Sequence, residues 1–495
     1  MLALILTSMN FSSLNILMVS TGIIITLVSI ISSRDYSYNN TYLFYLCNLI
    51  YILGFTMIIL TENWIIFIIG WELVTVSTFL LLLWGSNKIA RVYLIIQFIG
   101  SNFLLYVVLM IMNAGYNTIG PIDNFKLQLL LIIGVGVKSA IIGLHFWLPI
   151  VHSRAPAPAS AILSGWVVKL GFIVLLKTVT TGNILLFYAG IAMVIYAGIQ
   201  ALLATDYKVL LAFSTISQLG FIAIGIGSGN QYAYWGSVLH IIVHGLAKTS
   251  LFLSSGYWVK SMKSRSIYQF KNGWFKDKTN SIITILGLAV LAGFPILAGY
   301  NSKHLIKYAA GDGWILKYVF HGLSIITYLY VLRFIKWGIF NLDKKGKKDL
   351  DEDRKVIGLN ALSALILPII LVLLITLRSN IITGIDYTDY HLLHGFIISL
   401  IYILISVTVL KLSNWIYIKE KPVPSMDLLL IRIKNGYRWL NGRPKIERLE
   451  VDMENQIYNI AINFAKMVYN FLPKTIQSQL LFIPVVLLLL LLFYI

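Results

Sequence analysis

Apolar runs of about twenty residues, parted by short polar turns, repeat along the whole chain. About fourteen can be marked, at 12–32, 41–60, 64–84, 92–112, 126–148, 159–179, 183–204, 207–227, 233–257, 280–310, 314–337, 356–378, 393–415 and 480–495. They are too long and too uniformly apolar for the alternating strands of a membrane barrel, and lipid gives backbone amides no partner, so the pattern predicts helices. The expected fold is all-α, a polytopic transmembrane bundle of about fourteen helices with no soluble domain left over. The opening residues, MLALILTSMNF, lack the basic segment of a cleaved signal and read as a short lead into the first helix.

Composition agrees with the pattern. The 495 residues are 58% hydrophobic and 12% charged, about half the charged share of a soluble domain. The single cysteine, Cys47, lies inside an apolar run. That leaves no disulfide framework and no cysteine set for zinc or iron–sulfur ligation, so no cofactor or metal is expected. The net charge of +19 would suggest nucleic acid in a soluble protein. Here the basic residues are spread over loops and span interiors with no aromatic-interleaved patch, and a nucleic-acid partner is not expected. The basic loop Lys260–Lys278 and the segment Lys411–Arg448 mark the inner side by the positive-inside bias, although the loop Asp343–Lys355 mixes both signs.

The tail has a different period. Ile446, Leu449, Met453, Ile457, Ile460, Phe464, Met467 and Phe471 fall at steps of three or four, opposite Glu447, Glu450, Asp452, Glu454 and Lys466. This predicts an amphipathic surface helix roughly 40 Å long at 1.5 Å per residue. It would lie either on its own bundle or across a neighbouring subunit.

Ionisable side chains inside spans cost at least about 2.5 kcal/mol each, so each needs a reason. In chain order they are Glu72, Lys138, His145, Lys169, Asp206 with Lys208, His240, His244, Lys248 and Lys303. Lys138 and His145 are two helical turns apart, and His240, His244 and Lys248 are each four apart, so each set is expected on one helix face. A desolvated lysine releases its proton more readily and a nearby carboxylate makes it hold on, so the series reads as a proton or cation wire. Glu72 is the one acid well inside a span and is the natural counter-ion for one lysine, with Lys138 the first candidate. Lys177, Lys307, Lys317 and Lys336, near span ends, read as snorkelling to the headgroups. Asp206 and Lys208 admit a helix-end role as well as transport, and His240 with His244 admits a heme or metal reading that lacks a second facing pair. His152, Arg154, Pro156 and Pro158 read as a structured loop. Pro149, and Pro295 between Gly293 and Gly299, predict broken helices of the kind paired in transporter repeats. Spans 4–8 and 9–13 are the candidate repeats.

Five motifs together, GWELVTVSTFLLLLW, VKSAIIGLHFWLPIVHSRAPAPASAILSG, TDYKVLLAFSTISQLGF, HIIVHGLAKTSLFLSSG and GFPILAGYNSKHLI, cover about residues 64–310. They resemble the antiporter-like, proton-translocating membrane subunits of the respiratory complex I superfamily. That superfamily includes complex I subunits, membrane-bound hydrogenase subunits and the large subunits of multisubunit sodium/proton antiporters. The resemblance implies two inverted five-helix repeats, each with a broken helix. It implies Glu72 and Lys138 as the glutamate–lysine pair, and Lys169, Lys208, His240, His244 and Lys248 along the polar axis. Lys303 would be the lysine of the second broken helix, at the exit side. PILAGYNSKHL with the long tail looks most like the distal complex I subunit, whereas APAPASAILSGWVVK looks more like the antiporter and hydrogenase branch. Glu72 sits on the third helix, about two spans earlier than in ordinary members, and the prolines at 422, 424 and 444 interrupt the tail.

The implied organisation is N-terminal transmembrane helices at 1–91, a first repeat and the start of the second at 92–257, and the remainder of the second repeat with following helices at 258–415. A lateral segment at 416–479 and an anchor at 480–495 complete it. The expected function is proton translocation within a multisubunit redox-driven pump, the redox chemistry lying on peripheral partners. The alternative is a subunit of a redox-independent sodium/proton antiporter. Either way the expected partners are other membrane subunits, including antiporter-like homologues, in a prokaryotic plasma membrane or the mitochondrial inner membrane.

Overall fold

The computed structural model describes residues 9–33, 41–269, 277–295, 297–311, 313–340 and 392–413. The expected spans 356–378 and 480–495, and the lateral segment 416–479, lie outside the described residues.

Within them the chain is helical. The helices in order are α1 (Ser13–Ser32), α2 (Thr41–Leu60), α3 (Trp64–Leu83), α4 (Asn87–Asn113), α5 (Phe125–Gly136), α6 (Trp147–Arg154), α7 (Ala157–Gly165) and α8 (Leu170–Thr178). They continue with α9 (Ile184–Leu203), α10 (Tyr207–Gly227), α11 (Gln231–Met262), α12 (Lys278–Ala292), α13 (Ala298–Lys307), α14 (Trp314–Phe334) and α15 (Leu392–Leu412). Ten helical segments are long and apolar enough to cross a membrane, one of them the α7–α8 segment Ala157–Thr178. Two more expected spans, 126–148 and 280–310, are the interrupted pairs α5–α6 and α12–α13. The protein is an integral membrane protein.

Short polar residues start the spans. Asn63, Asn124, Asn183, Asp206, Asn230 and Asp277 are N-caps whose side chains accept backbone N–H groups of the first turn. Each takes up donors that the helix itself cannot, worth typically about 1 kcal/mol. The turns gather at two ends of the bundle. At one end Asn10 N–H donates to Leu60 (2.7 Å), Ile119 to Glu62 (2.7 Å), Ile122 to Thr178 (3.0 Å) and Asn183 to Gly227 (2.8 Å). At the other, Tyr207 donates to Arg265 and Ile267 to Thr205, both at 2.9 Å. This second end carries the basic residues Lys260, Lys263 and Arg265 and reads as the inner side by the charge bias.

The breaks have specific causes. Between α5 and α6 the backbone turns left-handed at Ala140 (φ 51°) and Gly143 (φ 84°), and Trp147 Nε1 caps the freed Val137 carbonyl at 2.7 Å. Pro149 is not at this break; it lies in the first turn of α6, where its missing N–H costs nothing. Between α12 and α13 the chain leaves the helix at Gly293 (φ 77°), a residue without a Cβ to clash, just before Pro295. The unwound stretch 137–146 also corrects one expectation. Lys138 and His145 do not share a helix face, because no continuous helix joins them. His145 instead accepts from Gly143 N–H (3.2 Å) and sits edge-on to Tyr196 with ring centroids 5.1 Å apart.

Matching features recur five spans apart. The α5–α6 pair runs toward the inner side and α12–α13, five spans later, runs away from it, the opposite sense that inverted repeats require. A Cβ on Gly70 of α3 would lie 2.7 Å from the Gly54 carbonyl oxygen of α2, and one on Gly54 would lie 2.9 Å from that of Gly70. Gly190 of α9 and Gly220 of α10 repeat this mutual contact at 2.7 and 2.6 Å. Such small-residue crossings let membrane helices approach closely. Gly220→Val is expected to destabilise the α9–α10 pair by about 1–3 kcal/mol. The purified complex should then show a lower thermal midpoint, whereas Gly322→Val, where nothing lies within 4 Å, leaves it unchanged.

Candidate functional site

The buried lysines are held by backbone carbonyls, some at helix ends and some on unbroken helices. Lys138, in the first unwound stretch, donates to the Trp71 carbonyl (2.9 Å) and the Thr75 hydroxyl (2.8 Å) of α3, with its ammonium 4.1 Å from the Trp71 ring centroid. Glu72, next to Trp71 and half-buried, acts on Lys138 by charge while these neutral groups hold the ammonium. Lys303, in α13, donates to the Leu291 carbonyl just before the second break (2.6 Å) and lies 4.6 Å from the ring centroid of Phe221 on α10. In both cases the lysine of a broken span covers an aromatic ring of the span two before it.

The remaining lysines follow the same rule. Lys169, at the irregular turn between α7 and α8, bonds the Ser164 carbonyl. Lys248 of α11 donates to the Leu211 carbonyl (2.9 Å) and the Ser214 hydroxyl (2.5 Å) of α10. Lys208, in the first turn of α10, donates to the Ala155 carbonyl between α6 and α7 (2.8 Å). A lone ammonium in a low-dielectric interior is costly, and a carbonyl with a hydroxyl is the neutral cradle that tolerates both the charged and the neutral amine.

Histidines join these points. On the continuous helix α11 the rings of His240 and His244 are parallel within 5° with centroids 5.7 Å apart, as their four-residue spacing requires. His240 Nδ1 shares a 2.8 Å hydrogen bond with Ser302, the neighbour of Lys303. His244 is within electrostatic reach of Lys169, Lys248, His240 and Lys303. His152, read from the sequence as part of a loop, is fully buried in the last turn of α6, stacked on Phe252 at 4.5 Å and within reach of Lys208, Lys248 and Lys169. Both ring nitrogens of His152 and of His244 are buried and have no hydrogen-bond partner among the described residues.

The structure therefore gathers Lys169, Lys208, His240, His244, Lys248 and Lys303, with His152 added, in one buried polar row. Glu72 and Lys138 form a second group beside it. Ser139, next to Lys138, has a buried hydroxyl with no partner among the described residues, which occupies the space a Cβ on Gly171, two residues after Lys169, would need. At the inner end Asp206 caps α10, accepting from Lys208 N–H (2.8 Å) and Val209 N–H (3.2 Å), and burial pushes its carboxyl up from the usual aspartate range. Of the four lysines read as snorkelling, Lys177 donates to the Ile59 carbonyl and Lys307 to Tyr402. Among the described residues no cluster of three or more His, Cys, Asp or Glu forms a metal site, and Cys47 is a buried free thiol.

A bundle of antiparallel spans with two oppositely directed broken helices and a buried lysine at each break is the arrangement of paired broken helices that transporter folds share. Residues 61–327 match the family described as NADH:quinone oxidoreductase/Mrp antiporter, transmembrane, and the chain belongs to this family. The antiporter subunit mnhA2 of Staphylococcus epidermidis is 27% identical over 67% of this chain and 48% of its own length. NADH-ubiquinone oxidoreductase chain 5 of Wickerhamomyces canadensis is 29% identical over 69% of this chain and 57% of its own length. The chain thus spans about half the length of these relatives. Among solved structures, a chain of the Mrp complex from Dietzia sp. DQ12-45-1b superposes with a TM-score of 0.70 at 22% identity, covering 90% of this chain and 54% of the other. A chain of respiratory complex I from Thermus thermophilus superposes with a TM-score of 0.61 at 20% identity, covering 72% and 85%. The chain is an antiporter-like membrane subunit of the complex I/Mrp superfamily.

Proposed function

We propose that this chain carries protons across the membrane along Glu72, Lys138, Lys169, Lys208, His240, His244, Lys248 and Lys303, with His152 as a further member, inside a multisubunit complex whose redox chemistry resides on partner subunits. The observation that carries this reading is the common cradle of the buried lysines. Each amine is held by a backbone carbonyl, joined by a hydroxyl at Lys138 and Lys248, rather than locked by a carboxylate, so it can lose and regain a proton without breaking an ion pair. Imidazoles between them, with buried nitrogens that have no partner among the described residues, supply atoms that both accept and donate. Glu72 sets the balance at Lys138 by charge.

A second reading, cation/proton exchange without redox partners, is favoured by the superposition on a chain of the Mrp complex over 90% of this chain. Purifying the complex in mild detergent and identifying its subunits by mass spectrometry separates the two. Iron–sulfur or hydrogenase-like subunits support the redox-driven pump, and small membrane subunits alone support the exchanger.

A further inference from the structure

A second cluster of titratable groups lies beyond Lys303, on the side away from the basic loops. Lys307 follows Lys303 by four residues on α13, one turn or about 6 Å further along the axis. The two amines are within electrostatic reach of each other. α13 runs from the break at Gly293 toward the turn that precedes Trp314, so this step leads outward. Lys307 donates to the Tyr402 hydroxyl at 3.4 Å, and its ammonium is 5.6 Å from that ring's centroid. On its other side the Tyr402 hydroxyl shares a short hydrogen bond with Nδ1 of His321 on α14.

Burial changes in the right sense along this path. Lys303 and Tyr402 are buried, Lys307 and His321 are half-buried, and Lys317, one turn before His321 on α14, is exposed. Among the described residues, Tyr328, with ring centroids 5.6 Å apart, and Tyr300 also face Tyr402. A phenol accepts one proton while giving up another, so Tyr402, bonded to both, joins the amine of Lys307 to the imidazole of His321.

We propose that Lys307, Tyr402 and His321 form an outlet relay that passes protons from Lys303 to the outer face. This rests on the reading that the axis conducts protons. In the transfer an N–H bond of the Lys307 ammonium breaks as an O–H bond forms on Tyr402. The original phenol O–H breaks as an Nδ1–H bond forms on His321, and the imidazolium then releases its Nε2 proton to water. One proton moves, and no oxidant or reductant is needed.

The test is proton flux in proteoliposomes of the purified complex, energised by whichever drive the wild type accepts, an electron donor or a sodium gradient. Tyr402→Phe keeps the ring and removes only the hydroxyl, and His321→Gln keeps a polar side chain that cannot titrate. Each is expected to lower flux about a hundredfold in an intact complex, the low end of what a positioned proton-transfer group contributes. External imidazole should restore flux to His321→Ala, a rescue that a purely structural role would not give. Wild-type flux in both Tyr402→Phe and His321→Gln, with Lys303→Met inactive, would overturn the relay and leave the axis reading standing. Wild-type flux in Lys303→Met would instead remove the axis reading on which the relay rests.

Discussion

Lys138→Arg is expected to stop proton transport while leaving the protein in its complex. An arginine can keep the positive charge, stack on the Trp71 ring and donate to the Trp71 carbonyl and Thr75 hydroxyl that now hold the lysine. It cannot readily let the proton go. Its intrinsic pKa lies at least about two units above that of lysine, so in the same pocket the neutral form is about a hundredfold rarer. Flux should fall by that factor in proteoliposomes at unchanged subunit content. Lys260→Arg, at the exposed end of α11, should have no effect. Full transport by Lys138→Arg would mean that the residue serves as a fixed charge and carries no proton.

Glu72→Gln is expected to have the second large effect. The amide keeps the size and polarity of the side chain at this half-buried position on α3 but removes the charge that acts on Lys138. An opposite charge near a lysine shifts the balance between its charged and neutral forms by about ten- to a thousandfold. Without it Lys138 captures protons poorly, and flux should fall within that range while the complex assembles normally. Because the lysine is held by neutral groups rather than by the carboxylate, Glu72→Gln should leave its position unchanged, which separates an electrostatic effect from a collapse of the site. Full transport in this variant would remove Glu72 from the mechanism.

Much of this was legible in the sequence because its physics is one-dimensional. Apolar length alone marks the spans, and charge inside such a run marks Glu72, Lys138, Lys169, Lys248 and Lys303. The continuous helix α11 places His240, His244 and Lys248 on one face as their spacing demands. Where the helix unwinds, the same arithmetic fails. Lys138 and His145 are two nominal turns apart, yet the left-handed residues Ala140 and Gly143 separate their directions. Pro149 announces a break that lies upstream of it, because a proline in the first turn of a helix costs little.

The other gaps concern neighbours supplied by packing. His152 reads as a loop residue because it adjoins Arg154 and two prolines. Only the packing of α6 against α10, α11 and the turn between α7 and α8 puts it on Phe252 and among three lysines. Lys307 reads as a snorkelling end residue until α15 brings Tyr402 to it. The carbonyls that hold the lysines carry no sequence signal, since any residue supplies one. What selects them is the interruption of a helix or the hydroxyl of Thr75 or Ser214 alongside.

The most direct test of the central claim is proton flux through the purified complex carrying Lys248→Leu. Lys248 lies at the centre of the polar row and is wholly buried, and leucine fills such a site without leaving a charge unpaired. The complex should therefore assemble and keep its partners. Flux reduced to the leak of protein-free vesicles, with assembly intact, is the result expected if protons travel along this row. Wild-type flux in the assembled Lys248→Leu complex would contradict it and place the proton path elsewhere.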